Sequence, residues 1–396
     1  MNFHYFVRAE RCPRSAALRY GRYATLWEKN GYPDKPAIAA LAGTVVHACT
    51  ARIAHKFVEN GCLSIDDPGC FAVLKQLGGY SAIIAETIVD VARSLIGNPR
   101  FEPIRELSLA ILHDRIPALR ELVQLQMTRI PWNAHSDNRM RQISHSQKSN
   151  NQAPARIPLR EGVHFEVEVR DALLRWKGVV DFLEIGESAC SIREFKTGAP
   201  SDDHILQLQV YALLWSSDST LNPNAIPASQ LALCYSTGER EVDLSPEDRI
   251  QLADSLKVRT TRVREAVNGA ASRANLGPDN CPQCDVRHLC SDYWSASRAI
   301  QPQLIQGNRI RFDDVQLALK SRKGENTWVA ECQISSQFPP KTTLLLRWSS
   351  PNFALLESLR PDTVVRLSGT LLSGTQDNET PVVTCVRTTD LIVFKP

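Results

Sequence analysis

"WKGVVDFLEIGESACSIREFKTG", residues 176–198, holds two apolar runs, each broken by ionisable residues. Asp181 lies in the first run, and Glu194 and Lys196 in the second. Burying such groups among Val, Phe and Ile costs free energy unless they are paired or bind a metal. The two runs read as strands of a hairpin, which brings Asp181 toward Glu194. Glu194 and Lys196 are two apart, so they share a face, with Phe195 on the other. Two carboxylates repel unless a cation joins them, and oxygen ligands suit Mg²⁺ or Mn²⁺. A neighbouring lysine can orient water or stabilise charge on a phosphate. The set suits metal-assisted hydrolysis of a phosphodiester. The plainer alternative is a solvated strand face.

Around this hairpin the chain reads as an α/β protein. Residues 1–130 are mostly helical in pattern, as in "LAGTVVHACTARIAHKFVENG". Residues 133–158 are polar and aperiodic and read as a long, mobile loop. "VHFEVEVRD" alternates with a period of two and precedes the hairpin as a further strand. "SDDHILQLQVYALLWSS" is a helix with Ser201 or Asp202 as N-cap. "SQLALCYSTG" and "EREVDL" form a second hairpin, and a long helix opens at Ser245-Pro246. After about residue 300 short strands and turns dominate, so two domains are expected, 1–299 and 303–396.

Three more polar residues sit at suggestive positions. Gln207 and Tyr211 are four apart on one helix face; they either reach a phosphate or base at the rim of the site or pack on the sheet. His47 lies on the early helix, either as a structural histidine or as an imidazole completing a His-Asp-Glu metal set. "GTVVH", "GVVD", "EFK" and "QLQVY" follow one another in the order and approximate spacing of the RecB-type branch of the PD-(D/E)xK nucleases, which the chain resembles. The separation of thirteen residues between Asp181 and Glu194 suits that family. The resemblance implies a restriction-endonuclease-like core, a mixed sheet flanked by helices. It implies Mg²⁺ or Mn²⁺ on His47, Asp181 and Glu194, with Lys196, Gln207 and Tyr211 completing the catalytic set.

The sequence holds eleven cysteines. The N-terminus shows no secretion signal, so disulfides are not expected and metal binding is the better reading. "CPQCDVRHLC" sets Cys281, Cys284 and Cys290 as C-x2-C-x5-C. His288 or Cys12 is available as a fourth ligand, and the donors suit zinc. With one distant N-terminal cysteine, the pattern is similar to the iron–sulfur subgroup of RecB-type nucleases, which includes CRISPR-associated exonucleases and AddB subunits. That resemblance implies a 4Fe-4S cluster on Cys12, Cys281, Cys284 and Cys290. Joining Cys12 to Cys281 across 269 residues costs about 5 kcal/mol of chain entropy, less than the roughly 10 kcal/mol a structural metal site supplies.

The C-terminal part resembles an OB-fold in its strand pattern. Basic and aromatic residues there are candidates for holding phosphates and stacking bases: Arg309, Arg311, Phe312, Lys320, Arg322, Lys323, Trp328, Arg347, Trp348 and Phe353. The aromatics serve equally well as the core of a small barrel.

Net charge is +3, so any nucleic-acid surface is local rather than global. No apolar run reaches the roughly 18 residues of a membrane span, and no membrane association is expected. No phosphate loop of the G-x-x-x-x-G-K-[ST] type occurs, so a helicase would have to be a partner. The expectation is a cytoplasmic, metal-dependent DNA nuclease favouring single-stranded or unwound DNA, in repair, CRISPR adaptation or anti-phage defence. The alternatives are a zinc- or cluster-stabilised single-strand-binding scaffold without catalysis, and an RNA nuclease.

Overall fold

The structure is a computed structural model. It describes residues 1–24, 26–62, 64–130, 132, 156–269, 272–300, 311–349, 351–373 and 380–394, without the side chains of 297–300, 311–312 and 351–352. Most of the segment read as a mobile loop, 133–155, lies outside the described residues.

Ten helices are described: α1 (Phe3–Arg11), α2 (Pro13–Arg19), α3 (Ile38–Glu59), α4 (Pro68–Gln76), α5 (Gly79–Ser94), α6 (Arg105–Asp114), α7 (Ile116–Thr128), α8 (Asp202–Ser217), α9 (Pro246–Asn268) and α10 (Ser291–Ile300). The strands of the first sheet are β1 (Gly162–Asp171), β2 (Trp176–Ile185), β3 (Cys190–Lys196), β4 (Ala228–Tyr235) and β5 (Gly238–Glu241). The second sheet holds β6 (Arg311–Arg322), β7 (Thr327–Ile334), β8 (Thr343–Trp348), β9 (Val364–Ser373), β10 (Val382–Cys385) and β11 (Asp390–Phe394).

The chain forms two compact units, and neither is continuous in sequence. One comprises 1–7, 36–95 and 107–262; the other comprises 8–35, 96–106 and 263–396. The boundary expected near residue 300 is therefore not where the units divide. The cysteine-rich segment and the C-terminal strands belong to one unit, together with short N-terminal pieces.

In the first unit the strands run in the order β1-β2-β3-β4-β5. All neighbours are antiparallel except β3 and β4, which are parallel. That parallel pair needs a crossover, supplied by α8, which packs on the sheet. Ser201 caps α8 by accepting from the Asp203 N–H. Ser245 caps α9 through the Asp248 N–H, and Pro246 occupies its first turn.

On α3, Leu41, Val45, Cys49, Ile53 and Phe57 recur every four residues and are all buried. They face α5 and α7, and the Thr50 hydroxyl donates to Gln126 Oε1 at 2.7 Å in that interior. Among the described residues α3 alone is long and apolar enough to cross a membrane. Here it is a core helix, packed on α5, α7 and β1. Cys62 and Cys70 are joined as a disulfide between α3 and α4, against the expectation that disulfides are absent.

In the second unit, β6, β7, β8, β10 and β9 close into a ring, with β11 added on β9. β8 and β10 pair in parallel; the other pairs are antiparallel. Alternate residues fill its core: Val315, Leu317 and Leu319 on β6, Trp328, Ala330 and Cys332 on β7, and Leu344, Leu346 and Trp348 on β8. Asp314, on β6, accepts from Arg287 at 2.7 and 3.2 Å, from the Tyr293 hydroxyl at 2.9 Å and from the Gly369 N–H at 2.7 Å. It thereby joins the barrel to the cysteine-rich segment.

Candidate active site

The site grows from the register of two hairpins in the first unit. β1 and β2 pair Phe165 with Phe182 and Val167 with Val180, which sets Glu166 directly across from Asp181. Glu166 holds a left-handed backbone, φ 51°, within an extended strand. That conformation is costly for a residue with a side chain and is tolerated where surrounding structure enforces it. β2 and β3 pair as far as Phe182 with Arg193. Beyond that pair the Asp181 carboxylate itself accepts the Phe195 N–H, at 2.8 Å. From α3, His47 Nδ1 approaches the other Asp181 oxygen at 3.3 Å. His47, Glu166 and Asp181 each bring a ligand atom within 4.8 Å of the others. They line a cleft of about 500 Å³ with Gly43, Thr44 and Thr197.

Glu194 and Lys196 share a face of β3, as the spacing requires. Lys196 Nζ donates to Glu194 Oε1 at 2.9 Å and to Gln207 Oε1 at 2.9 Å. Gln207 Nε2 donates in turn to Glu194 Oε1 at 3.1 Å and to the Tyr211 hydroxyl at 2.8 Å. Gln207 and Tyr211 are buried. They are not rim residues that reach a substrate; they hold the lysine and the glutamate from beneath. Glycines make the approach of these elements possible. A Cβ on Gly178 would lie 2.4 Å from the Tyr211 ring, and one on Gly43 would lie 3.0 Å from Thr197 Oγ1.

Burial, and then the charge of Asp181, push the Glu194 carboxyl well above its ordinary range. Glu166 is raised by the same two causes. For His47, burial opposes the charged form, but Asp181, Glu194 and Glu166 outweigh it and raise the imidazole. The three shifts reflect burial first and then the crowding of Asp181, Glu194 and Glu166 around His47. Glu194 Oε2 is buried and has no hydrogen-bond partner among the described residues. A buried carboxylate oxygen left open is expensive, and a hard divalent cation satisfies it. The donor set of one imidazole and carboxylates fits Mg²⁺ or Mn²⁺.

His47, Asp181, Glu194 and Lys196, expected from the sequence, meet at this site, and Glu166 joins them unforeseen. The signal was countable. A β1–β2 turn closing on Asp171 and Trp176 sets Glu166 opposite Asp181.

The second unit holds the other candidates. Cys12 caps α2, its sulfur accepting from the Ser15 N–H at 3.4 Å, and also accepts from the Asn275 N–H at 3.4 Å. The Ser15 hydroxyl lies 3.3 Å from Cys284 Sγ. Cys281 and Cys290 pack with Tyr293 and Trp294, and all four cysteines are free thiols. Amide donors aimed at sulfur suit thiolates. His288 is not a fourth ligand: it is buried, its Nε2 engages the Tyr32 hydroxyl at 2.8 Å, and its Nδ1 lies 3.9 Å from Asp390.

The base-stacking expectation is corrected for Trp328, Trp348 and Phe353, which are buried in the barrel core. Trp328 spends its indole N–H on the Leu356 carbonyl at 2.8 Å. Arg322 donates to backbone carbonyls of Gly324, Glu325 and Glu357, and Lys320 pairs with Asp362 at 3.2 Å. Lys323 and Arg347 are exposed. Arg309 and the side chains of Arg311 and Phe312 lie outside the described residues.

A mixed sheet whose hairpin presents Asp181, Glu194 and Lys196 beside a metal-ligand cluster is the architecture of a hydrolytic nuclease core. The family model of the PD-(D/E)XK nuclease superfamily matches residues 6–291, and the chain belongs to that superfamily. No curated protein matches the chain. Among solved structures it is similar to a p204 HINb domain, at 11% identity over 60% of this chain and 100% of that one, TM-score 0.18. It is also similar to a murine DNA-binding protein bound with double-stranded DNA, at 8% identity over 60% of this chain and 96% of that one, TM-score 0.18. Likenesses this remote carry no argument about the fold or activity of this chain.

Proposed function

We propose that the chain is a metal-dependent deoxyribonuclease that acts on single-stranded or unwound DNA. The observation that carries this reading is Glu194 Oε2, buried and unpartnered beside Asp181. His47, Glu166, Asp181 and Glu194 would hold Mg²⁺ or Mn²⁺. When bound, the cation supplies positive charge where the phosphoryl group gathers negative charge during hydrolysis. The chain's own residues do the rest. Lys196, fixed by Glu194 and Gln207, presents an ammonium that orients the attacking water and stabilises the phosphate oxygens. Gln207 and Tyr211 keep that ammonium and the Glu194 carboxylate in register.

The single-strand preference rests on the barrel. Its closed ring of five strands with one parallel pair supports an OB-like reading. Its exposed basic residues, Lys323 and Arg347 among them, would then follow a phosphate backbone. Cys12, Cys281, Cys284 and Cys290 would hold a 4Fe-4S cluster that fastens the N-terminal helices to the cysteine-rich segment. Among the described residues no three of these sulfurs come within 4.8 Å of one another. Repair, CRISPR adaptation and anti-phage defence are the settings this reading suits, with unwinding supplied by a partner helicase.

The test is cleavage of single-stranded DNA, duplex DNA and RNA with Mg²⁺ or Mn²⁺. Cleavage of unpaired DNA first, abolished by EDTA, supports the reading. Cleavage of RNA alone, or of nothing, overturns it.

A further inference from the structure

One side chain near the site is used by none of the interactions above. His204 lies in the first turn of α8, three residues before Gln207 and seven before Tyr211, and so on the same helix face. The parallel register of β3 and β4 sets Lys196 beside Tyr235. The Tyr235 hydroxyl meets His204 Nδ1 at 3.0 Å. Tyr235 is buried, whereas His204 is partly exposed. Lys196 is close enough to act on the imidazole electrostatically. The second ring nitrogen of His204, Nε2, has no hydrogen-bond partner among the described residues. The loop from Thr197 to Ser201 joins the cleft wall directly to this turn of helix.

We propose that His204, held by Tyr235, is a substrate-binding residue whose Nε2–H donates to a phosphoryl oxygen of the nucleic-acid strand on the Lys196 side of the site. The proposal rests on the nuclease reading and names a contact that reading does not contain. In the tautomer in which the Tyr235 hydroxyl donates to Nδ1, the proton of a neutral imidazole lies on Nε2 and that donor faces away from Tyr235. Burial, and then Lys196, lower the basicity of His204, which favours the neutral imidazole. A neutral donor beside a lysine also binds a phosphate without adding a second positive charge next to Lys196.

The experiment compares full-length wild type with His204→Ala, His204→Gln and Tyr235→Phe in steady-state cleavage of a labelled oligonucleotide. Losing one hydrogen bond to a charged group predicts a rise of about tenfold in KM for His204→Ala, with kcat within about twofold. Glutamine carries an amide N–H near the position of Nε2, so His204→Gln should recover most of the loss. Tyr235→Phe, which frees the tautomer, should fall between. An unchanged KM in His204→Ala, or a glutamine variant as poor as the alanine one, overturns the proposal. If His204→Ala does not fold, His204→Gln and Tyr235→Phe still decide: a glutamine variant far below Tyr235→Phe refutes the donor role. If wild type cleaves no nucleic acid, the nuclease reading fails. Oligonucleotide binding in EDTA then tests His204 alone, and equal affinity of wild type and His204→Ala refutes it.

Discussion

Gly178→Ala should damage the active site from beneath without touching a charged group. The added Cβ would lie 2.4 Å from Cε1 and 2.9 Å from Cδ1 of Tyr211, against ordinary contacts of 3.4–4 Å. The ring must therefore retreat by about 1 Å, in a packed interior that resists it. Overpacking of this kind costs about 1–3 kcal/mol, which lowers the melting temperature by several degrees, at about 2–4 °C per kcal/mol in a unit of this size. Retreat of the ring pulls the Tyr211 hydroxyl from Gln207, and Gln207 also holds Lys196 and Glu194. A misplacement of about 1 Å there should cost cleavage tenfold or more. The assay is a double-mutant cycle with Tyr211→Ala, read by thermal unfolding and by cleavage. Once the ring is gone its close contacts with the methyl are gone too, so the double variant should be no worse than Tyr211→Ala alone. Strict additivity would refute the reasoning.

Three further outcomes are expected. His288 is buried, and desolvation depresses it to about 4 from an ordinary 6.5. The stability it contributes is complete above pH 6.5 and is lost as pH falls toward 4, where the unfolded chain takes up a proton the folded one refuses, on the order of 3 kcal/mol in total. Urea unfolding between pH 4.5 and 7 should show that slope in wild type and a flatter one in His288→Asn. Arg287→Ala strips Asp314 of its guanidinium and should lower the stability of the second unit by about 2–4 kcal/mol, seen as an earlier unfolding transition, while metal binding in the first unit is unchanged. Protein purified without oxygen should be brown, and Cys12→Ala should bleach it as fully as Cys284→Ala; a colourless protein with one zinc would contradict the cluster.

The strands of the candidate site were legible because their chemistry breaks a local rule. Asp181, Glu194 and Lys196 stand in apolar runs where charge is costly, and β2, β3 and α8 fall where the patterns put them. Glu166 was hidden, since on β1 it is one of several alternating polar residues and only the pairing register singles it out. The roles of Gln207 and Tyr211 depend on burial, which a helical spacing of four does not reveal. Trp328 and Trp348 alternate as core residues do, and their basic neighbours made them look like a binding surface. The division into units was invisible for a different reason. Asp390 gathers Arg100 and Lys35 from 290 and 355 residues away. Such ion pairs leave no periodic trace. The Cys62–Cys70 pair is equally silent in spacing alone.

Glu194 Oε2, buried and unpartnered among the described residues, is the proposed seat of a divalent cation. Mn²⁺ binding to wild type and to Glu194→Gln, followed by electron paramagnetic resonance alongside cleavage of single-stranded DNA, tests it most directly. The amide keeps the size of the side chain and the hydrogen-bonded frame around it but removes the anionic ligand. Glu194→Gln should fold like wild type, bind Mn²⁺ at least about tenfold more weakly and show no detectable cleavage. Wild-type Mn²⁺ affinity together with full cleavage in Glu194→Gln would contradict it.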